Sequence, residues 1–345
     1  MTEDLVDDLL AGKHRALARA ITRIENRQPG YRELVSRLHE HTDNADVIGI
    51  TGSPGAGKST LVDKMAATYR DRGLTVGVIA IDPSSPFTGG AVLGDRIRMG
   101  SNVGDMDVFF RSMSARGSLG GLSTATADAA TALDAFGKDK VIVETVGAGQ
   151  NEIDIVKTAD TVAVLVPPGT GDDVQMLKAG ILEIADVFAV NKADLQGADR
   201  TVQELREMIQ YRDGTVPGGG GHHGADTRIG GLDRPHEGEN GWIPPIVETV
   251  ANRGEGVDDL LEALADHREY VRSSGRLAGI ERTRYREEIR TLLREDMRAL
   301  LEEEIERRGG LERYVERVRE RETDPYSVSD ELLEPLTECV ERERD

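Results

Sequence analysis

The chain has 345 residues, 43 Lys+Arg against 63 Asp+Glu for a formal charge of −20, and one cysteine, Cys339. At about 150 residues per domain the length suggests two domains, with room for a large buried core. The acid excess argues against a sequence-independent grip on nucleic acid or docking on anionic lipid, and one cysteine excludes a disulfide framework or a cysteine-based zinc cluster.

The N-terminus, MTEDLVDDLLAGKHRALARA, lacks an apolar signal core. No apolar run approaches the about 18 residues of a membrane span, so a cytoplasmic protein without a membrane partner is expected. Basic charge is carried by 35 Arg and only 8 Lys. This composition fits a halophilic protein in a salt-loaded cytosol, where the Debye length is roughly 3 Å at 1 M and self-repulsion is screened. It fits an ordinary acidic protein equally well.

In chain order, residues 3–41 read as two helices, with Leu5, Leu9, Leu10, Leu17, Ile21 and Ile24 mostly at helical spacing and a break at Pro29-Gly30. From Val47 short apolar runs alternate with helical stretches: Val47–Thr51, Leu74–Ile81, Val108–Arg111, Val141–Thr145, Thr161–Val166, Val187–Asn191 and Ile246–Thr249. Most are unbroken, as in strands covered on both faces, and the succession implies βαβ units. The expected fold is an α/β P-loop NTPase. It has a mainly parallel sheet flanked by helices, with N-terminal helices and a C-terminal helical arm added. The expected regions are 1–43 (helical), 44–265 (nucleotide domain) and 266–345 (a charged helical arm able to dimerise).

Residues 213–241 interrupt the pattern. Ten of these 29 are Gly, which predicts an inserted surface loop; its His222, His223 and His236 lack a rigid frame for metal binding. In the C-terminal arm Tyr285, Ile289, Leu292, Leu293, Met297, Leu300, Leu301 and Ile305 form one helical stripe, which either packs within its own domain or pairs with a second copy. His14, His39, His41 and His267 lie in charged helical stretches and read as surface residues.

Gly52-Ser53-Pro54-Gly55-Ala56-Gly57-Lys58-Ser59 matches G-x-x-x-x-G-K-[ST] in full, between a strand and a helix. Its glycines let successive N–H groups converge on an anion, and the helix N-terminus, with Thr60 in its first turn, adds a positive dipole end. Lys58 is expected on the β- and γ-phosphates and Ser59 on Mg²⁺. Asn191-Lys192-Ala193-Asp194 follows an apolar strand well downstream. A carboxylate at Asp194 accepts both N1–H and N2–H₂ of guanine, a donor pair adenine lacks, so GTP is favoured over ATP. Asn191 would hold the neighbouring loop and the Lys192 stem would pack on the purine. Thr249, Val250 and Ala251 end a later strand, where a backbone N–H near Ala251 could meet guanine O6; a plain strand-to-helix turn is the other reading.

Asp82 and Glu144 each end a strand facing the ligand crevice, where carboxylates hold Mg²⁺ and Gly147 N–H senses the γ-phosphate. An Asp-Pro turn is the alternative for Asp82. Gln150 is a candidate to orient water by analogy alone; Arg96, Arg98 and Arg111 could neutralise transferred charge, but a solvated arginine is the favoured reading for each. The stretches Asp82–Met99 (DPSSPFTGGAVLGDRIRM) and Glu144–Ile155 (ETVGAGQNEIDI) resemble the MeaB/ArgK family, the G-proteins that accompany methylmalonyl-CoA mutase. Pro167–Asp173 with Lys178-Ala179-Gly180 resembles a further segment of that family. The resemblance implies that Asp82, Asp95 and Glu144 surround Mg²⁺ and the γ-phosphate, with Lys58, Glu144 and Asp95 as the catalytic set. It implies a homodimeric GTPase acting as chaperone of the adenosylcobalamin-dependent mutase. No D-x-H-x-x-G pattern occurs, so no cobalamin site of its own is expected. The alternatives are a kinase acting on an amino-acid transport component, a metal-insertion GTPase, disfavoured by the cysteine and histidine content, and a nucleotide-binding scaffold without catalysis.

Overall fold

The computed structural model describes residues 2–42, 45–82, 105–114, 121–145, 155–169, 182–212 and 241–342. Two compact units occur, Met1–Tyr285 and Arg286–Asp345. In chain order the elements are α1 Thr2–Leu10, α2 His14–Glu25, α3 Tyr31–His39, β1 Asp46–Gly52, α4 Lys58–Asp71, β2 Val76–Asp82, β3 Val108–Ser114, α5 Gly121–Ala135, β4 Lys140–Glu144, β5 Thr161–Val166, a turn α6 Leu182–Ile184, β6 Val187–Asn191, α7 Ala198–Arg212, β7 Ile246–Thr249, α8 Val257–Ser273, α9 Leu277–Arg307, α10 Leu311–Arg319 and α11 Pro325–Arg342.

All seven expected strands are present, six with ends within two residues of the apolar runs, whereas β3 continues three residues beyond Arg111 to Ser114. They form one sheet in the order β3-β2-β4-β1-β5-β6-β7, with every pairing parallel. Central β1 pairs with β4 from Asp46↔Lys140 to Ile50↔Glu144 and with β5 from Ile48↔Thr161 to Gly52↔Leu165. Alternate side chains feed two cores, which is why the runs show no polar alternation. One core joins α1, α2, α3, α5 and α7 to Val141, Val143, Val164 and Phe188. The opposite core joins α4 and α8 to Ile48, Ile50, Ile142 and Leu165.

Two expectations are corrected. Residues 3–41 form three helices, because Gly12 at φ 77 ends α1 within an apolar pattern that continues through it. His267 is buried at 5 % exposure rather than on the surface. Its Nδ1 lies 2.9 Å from Thr161 Oγ1, its Nε2 lies 3.4 Å from Asp186 Oδ1, and the Trp242 ring packs edge-on against it. His14 is half-buried, edge-on to Phe136, whereas His39 and His41 are exposed.

The second unit has a small core of Tyr314, Val328 and Leu332, edged by Ile305 and Val318. Asp324 caps α11, accepting from Tyr326 N (2.9 Å), Ser327 N (3.1 Å) and Ser327 Oγ (2.6 Å), which holds its carboxyl below the usual range. Among the described residues, no helix is long and apolar enough to cross a membrane.

Candidate nucleotide site

In this strand order β1 lies between strands reached by chain excursions in opposite directions, so the crevice at its C-terminal end is the natural ligand position. The G-x-x-x-x-G-K-S segment occupies it. Gly52 ends β1 at φ 132, where a Cβ would stand 2.1 Å from the Leu165 carbonyl oxygen of β5. Gly57 precedes α4 at φ 91, where a Cβ would stand 2.4 Å from Asn191 Nδ2. Both positions admit only glycine, for the conformation and for the close approach.

Lys58 is 5 % exposed and its Nζ donates to Gly52 O (2.7 Å) and Ser53 O (2.9 Å), which places the ammonium at the loop. A buried cation needs such partners, and it makes the loop receptive to an anion. Ser53 and Ala56 are buried; Pro54, Gly55 and Thr60 are exposed. Ser59 Oγ donates to Glu144 Oε1 at 2.5 Å, so a hydroxyl from the start of α4 meets a carboxylate from the end of β4. Beside them Thr145 Oγ1 donates to Thr51 Oγ1 at 2.8 Å, tying the ends of β4 and β1 together.

The N-K-x-D segment leaves β6 into the same crevice. Asn191, 2 % exposed, donates from Nδ2 to Ala56 O at 2.7 Å. Its Oδ1 accepts from Thr249 Oγ1 and from Ala251 N, each at 3.1 Å. Lys192, at φ 63, reaches back to Gly55 O at 2.8 Å. The structure thus brings Gly52–Ser59, Asn191, Lys192, Thr249, Val250 and Ala251 into one assembly. The Ala251 N–H suggested for guanine O6 is held by Asn191, at the start of the 3₁₀ turn Ala251–Arg253.

Sequence reasoning missed Arg253, whose guanidinium lies 3.4 Å from Asp194 Oδ2 and 3.9 Å from Glu255 Oε1. No local signal marks the pair, since 59 positions separate the partners. Arg111 lies on β3 and pairs with Glu25 of α2 at 2.5 Å, so this candidate charge neutraliser is an ion-pair partner of the N-terminal helices. Asp82 ends β2 in register with Ser114. The Asp82 side chain lies outside the described residues, as do Asp95, Arg96, Arg98, Gly147, Gln150, Lys178 and residues 213–240. Among the described residues no group of three or more His, Cys, Asp or Glu forms a metal cluster.

Comparison with known proteins agrees with this assembly. The family described as methylmalonyl Co-A mutase-associated GTPase MeaB matches residues 17–306. A protein of Pyrococcus abyssi is 47 % identical over 336 residues, covering 97 % of each chain. GTPase ArgK of Escherichia coli is 33 % identical over 82 % of this chain and 80 % of its own length. A crystal structure of a LAO/AO transport system kinase superposes with a TM-score of 0.64 at 23 % identity over 97 % of both chains, which establishes likeness of fold. A complete phosphate loop, an N-K-x-D segment tied to it by one side chain, and a family match across most of the sequence place this chain in the MeaB family of P-loop GTPases.

Proposed function

We propose that the chain binds Mg²⁺·GTP in the β1–α4 crevice, hydrolyses it to GDP and phosphate, and uses the nucleotide state to chaperone methylmalonyl-CoA mutase, gating the loading or protection of its adenosylcobalamin. The observation that carries the nucleotide reading is the Asn191 side chain, which links the phosphate loop at Ala56 to the base-side residues Thr249 and Ala251. The backbone amides of Gly52–Ser59 and the Lys58 ammonium would take the phosphates. The Asp194 carboxylate would accept guanine N1–H and N2–H₂, with the Arg253 guanidinium 3.4 Å from its Oδ2.

The residues present fit Mg²⁺. Ser59 Oγ and buried Glu144 Oε1 converge as hard oxygen donors, the kind this ion takes. These two would hold it, joined by Asp82 and Asp95. When bound, the ion neutralises charge on the phosphate oxygens. Phosphoryl transfer needs mainly positioning and charge neutralisation, so Lys58, Glu144 and Asp95 make up the catalytic set. No side chain among the described residues is assigned as general base, so intrinsic turnover is slow and rises with the partner.

The mutase association is supported by the family description. A nucleotide governs such a partner only through different affinities for two conformations. Homodimer formation is supported by α9, where Ile289, Leu293, Met297 and Leu300 follow one another at spacings of four, four and three and are each at least 50 % exposed.

The test is multiple-turnover phosphate release with GTP and with ATP, with and without Mg²⁺. Release from GTP alone, requiring Mg²⁺ and abolished in Lys58→Ala, supports the reading; equal release from ATP overturns the guanine assignment. With γ-labelled GTP, free phosphate supports a hydrolase, and a stable phosphoprotein supports the kinase alternative. For the partner, GTP- and GDP-loaded protein is mixed with purified mutase, and equal retention of mutase by both forms overturns the chaperone role.

A further inference from the structure

The helix α2 carries Arg15, Arg19 and Arg23 at i, i+4 and i+8, which places them on one face with about 6 Å of rise per step. All three line a pocket of about 300 Å³, together with Leu5, Ala18, Thr22 and Gln28. Leu5 is buried, and the Thr22 hydroxyl already donates to Ala18 O at 2.8 Å, so the floor presents mainly carbon. Three arginine side chains and Gln28 complete its lining.

Arg15 and Arg19 are placed against local electrostatics, whereas Arg23, in the last turn, is favoured by the helix dipole. Like charges four residues apart on a helix repel. Arg15 sits in the first turn of α2, which has no acidic residue and where the helix dipole disfavours a cation. In a chain of net charge −20, no carboxylate among the described residues pairs with Arg15, Arg19 or Arg23. By contrast Arg70, Arg72, Arg111, Arg268 and Arg284 of the same unit each meet an Asp or Glu. Three unpaired cations beside an apolar hollow are a cost to folding that a bound anion offsets.

We propose that the α1–α2 pocket binds a small phosphate-bearing molecule with an apolar body, at a site separate from the nucleotide crevice. Guanidinium forks match phosphate oxygens two at a time, and a carbon floor suits a flat apolar group. The volume lies at the lower end for ligand sites, so the occupant is small. The α1 and α2 helices belong to the core on one face of the sheet, whereas α4 with the phosphate loop belongs to the other. Occupants of the two sites therefore do not compete for the same residues.

The probe is phenyl phosphate, titrated calorimetrically into the full chain saturated with Mg²⁺·GDP. A second titration into Lys58→Ala keeps the crevice out of the readout even if the nucleotide assignment fails. One saturable site is expected in both. Arg19→Gln should weaken it about tenfold and the Arg15→Gln/Arg19→Gln pair about a hundredfold, as expected for losing charge-assisted hydrogen bonds. Arg200→Gln, an exposed pair with Glu204 on α7, should leave it unchanged. These exposed substitutions should not lower the melting temperature, because they remove repulsion. Absence of saturable heat overturns the proposal, as does equal affinity in the Arg15/Arg19 variant. Binding of a Glu-rich peptide in place of phenyl phosphate would make the surface a protein-docking site and overturn the small-ligand assignment.

Discussion

Replacing Asn191 tests whether one side chain unites the two halves of the nucleotide site. The amide is 2 % exposed and closes three hydrogen bonds, at 2.7 Å to Ala56 O and at 3.1 Å each from Thr249 Oγ1 and Ala251 N. Asn191→Ala leaves a carbonyl, a hydroxyl and an amide N–H without that partner. A buried orphan costs about 1–3 kcal/mol, but costs within one network do not simply add. A total near 3 kcal/mol follows, or a fall of roughly 6–12 °C in Tm for a unit of this size. Asn191→Asp is the sharper probe. Its carboxylate still accepts from Thr249 and Ala251 but turns an oxygen toward the Ala56 carbonyl, where the amide had donated. Protonation restores that donor, so the folded state raises this carboxyl above its unfolded pKa of about 3.9. Stability is then retained at low pH and lost as pH rises through the folded value. Thermal melts from pH 5 to pH 8 should show the Asp variant falling progressively behind the wild type, and GTP binding should weaken in both variants. A pH-independent deficit would refute the carbonyl contact, and an Ala variant within about 0.5 kcal/mol of wild type would refute the network.

Gly52→Ala would set a Cβ 2.1 Å from a backbone carbonyl at φ 132, so a loss above about 3 kcal/mol is expected by circular dichroism melting; a wild-type melt would show that the loop relaxes. His14 has its pKa lowered, first by burial and then by the Lys138 charge. Folding therefore favours the neutral ring, and its contribution is present above pH 6.5 and lost as pH falls through the folded value. His14→Phe should flatten that part of the stability curve between pH 7 and 5, and an unchanged slope would remove His14 from it. Asp194→Asn should relax the preference for GTP over ATP, read as the ratio of their affinities, whereas unaltered discrimination would take Asp194 out of base reading. With −20 formal charge, midpoints of thermal unfolding should rise in molar KCl as repulsion is screened, and full stability in dilute buffer would count against a surface adapted to salt.

The parts of the fold that the sequence exposes are those decided by neighbours in sequence. A parallel strand covered on both faces must be apolar throughout, so β4 as KVIVE and β5 as TVAVLV stand out unaided. The phosphate loop is legible because Gly52 and Gly57 serve backbone geometry that only glycine permits. Contacts between distant segments leave no such trace. The His267 neighbourhood Asp266-His267-Arg268-Glu269 looks wholly exposed, yet the imidazole is buried against partners more than 80 residues earlier, Thr161 at the start of β5 and Asp186 just before β6. Arg253 next to Asp194 and Arg111 next to Glu25 are hidden for the same reason. The break at Gly12 escaped notice because apolar spacing persists across it, and periodicity reports which face is buried rather than whether the helix is continuous.

The order of strands explains why a single asparagine can hold such a position. The loops that end β1 and β6 emerge from strands separated only by β5. With about 4.8 Å between neighbouring strands, the two loop origins stand roughly 10 Å apart. A phosphate-binding segment and a base-reading segment at that separation need a rigid cross-tie, or each would adjust independently and discrimination at the base would not reach the phosphates. Asn191 supplies the tie on the strand-end side, from Ala56 across to Thr249 and Ala251, and Lys192 adds a second through Gly55. Both ties end on the phosphate loop itself rather than on the body of the sheet. Under the proposed GTP reading, a purine that displaced Lys192 or disturbed Asn191 would therefore move the same backbone that would hold the phosphates, and base identity and phosphate geometry would be read as one event.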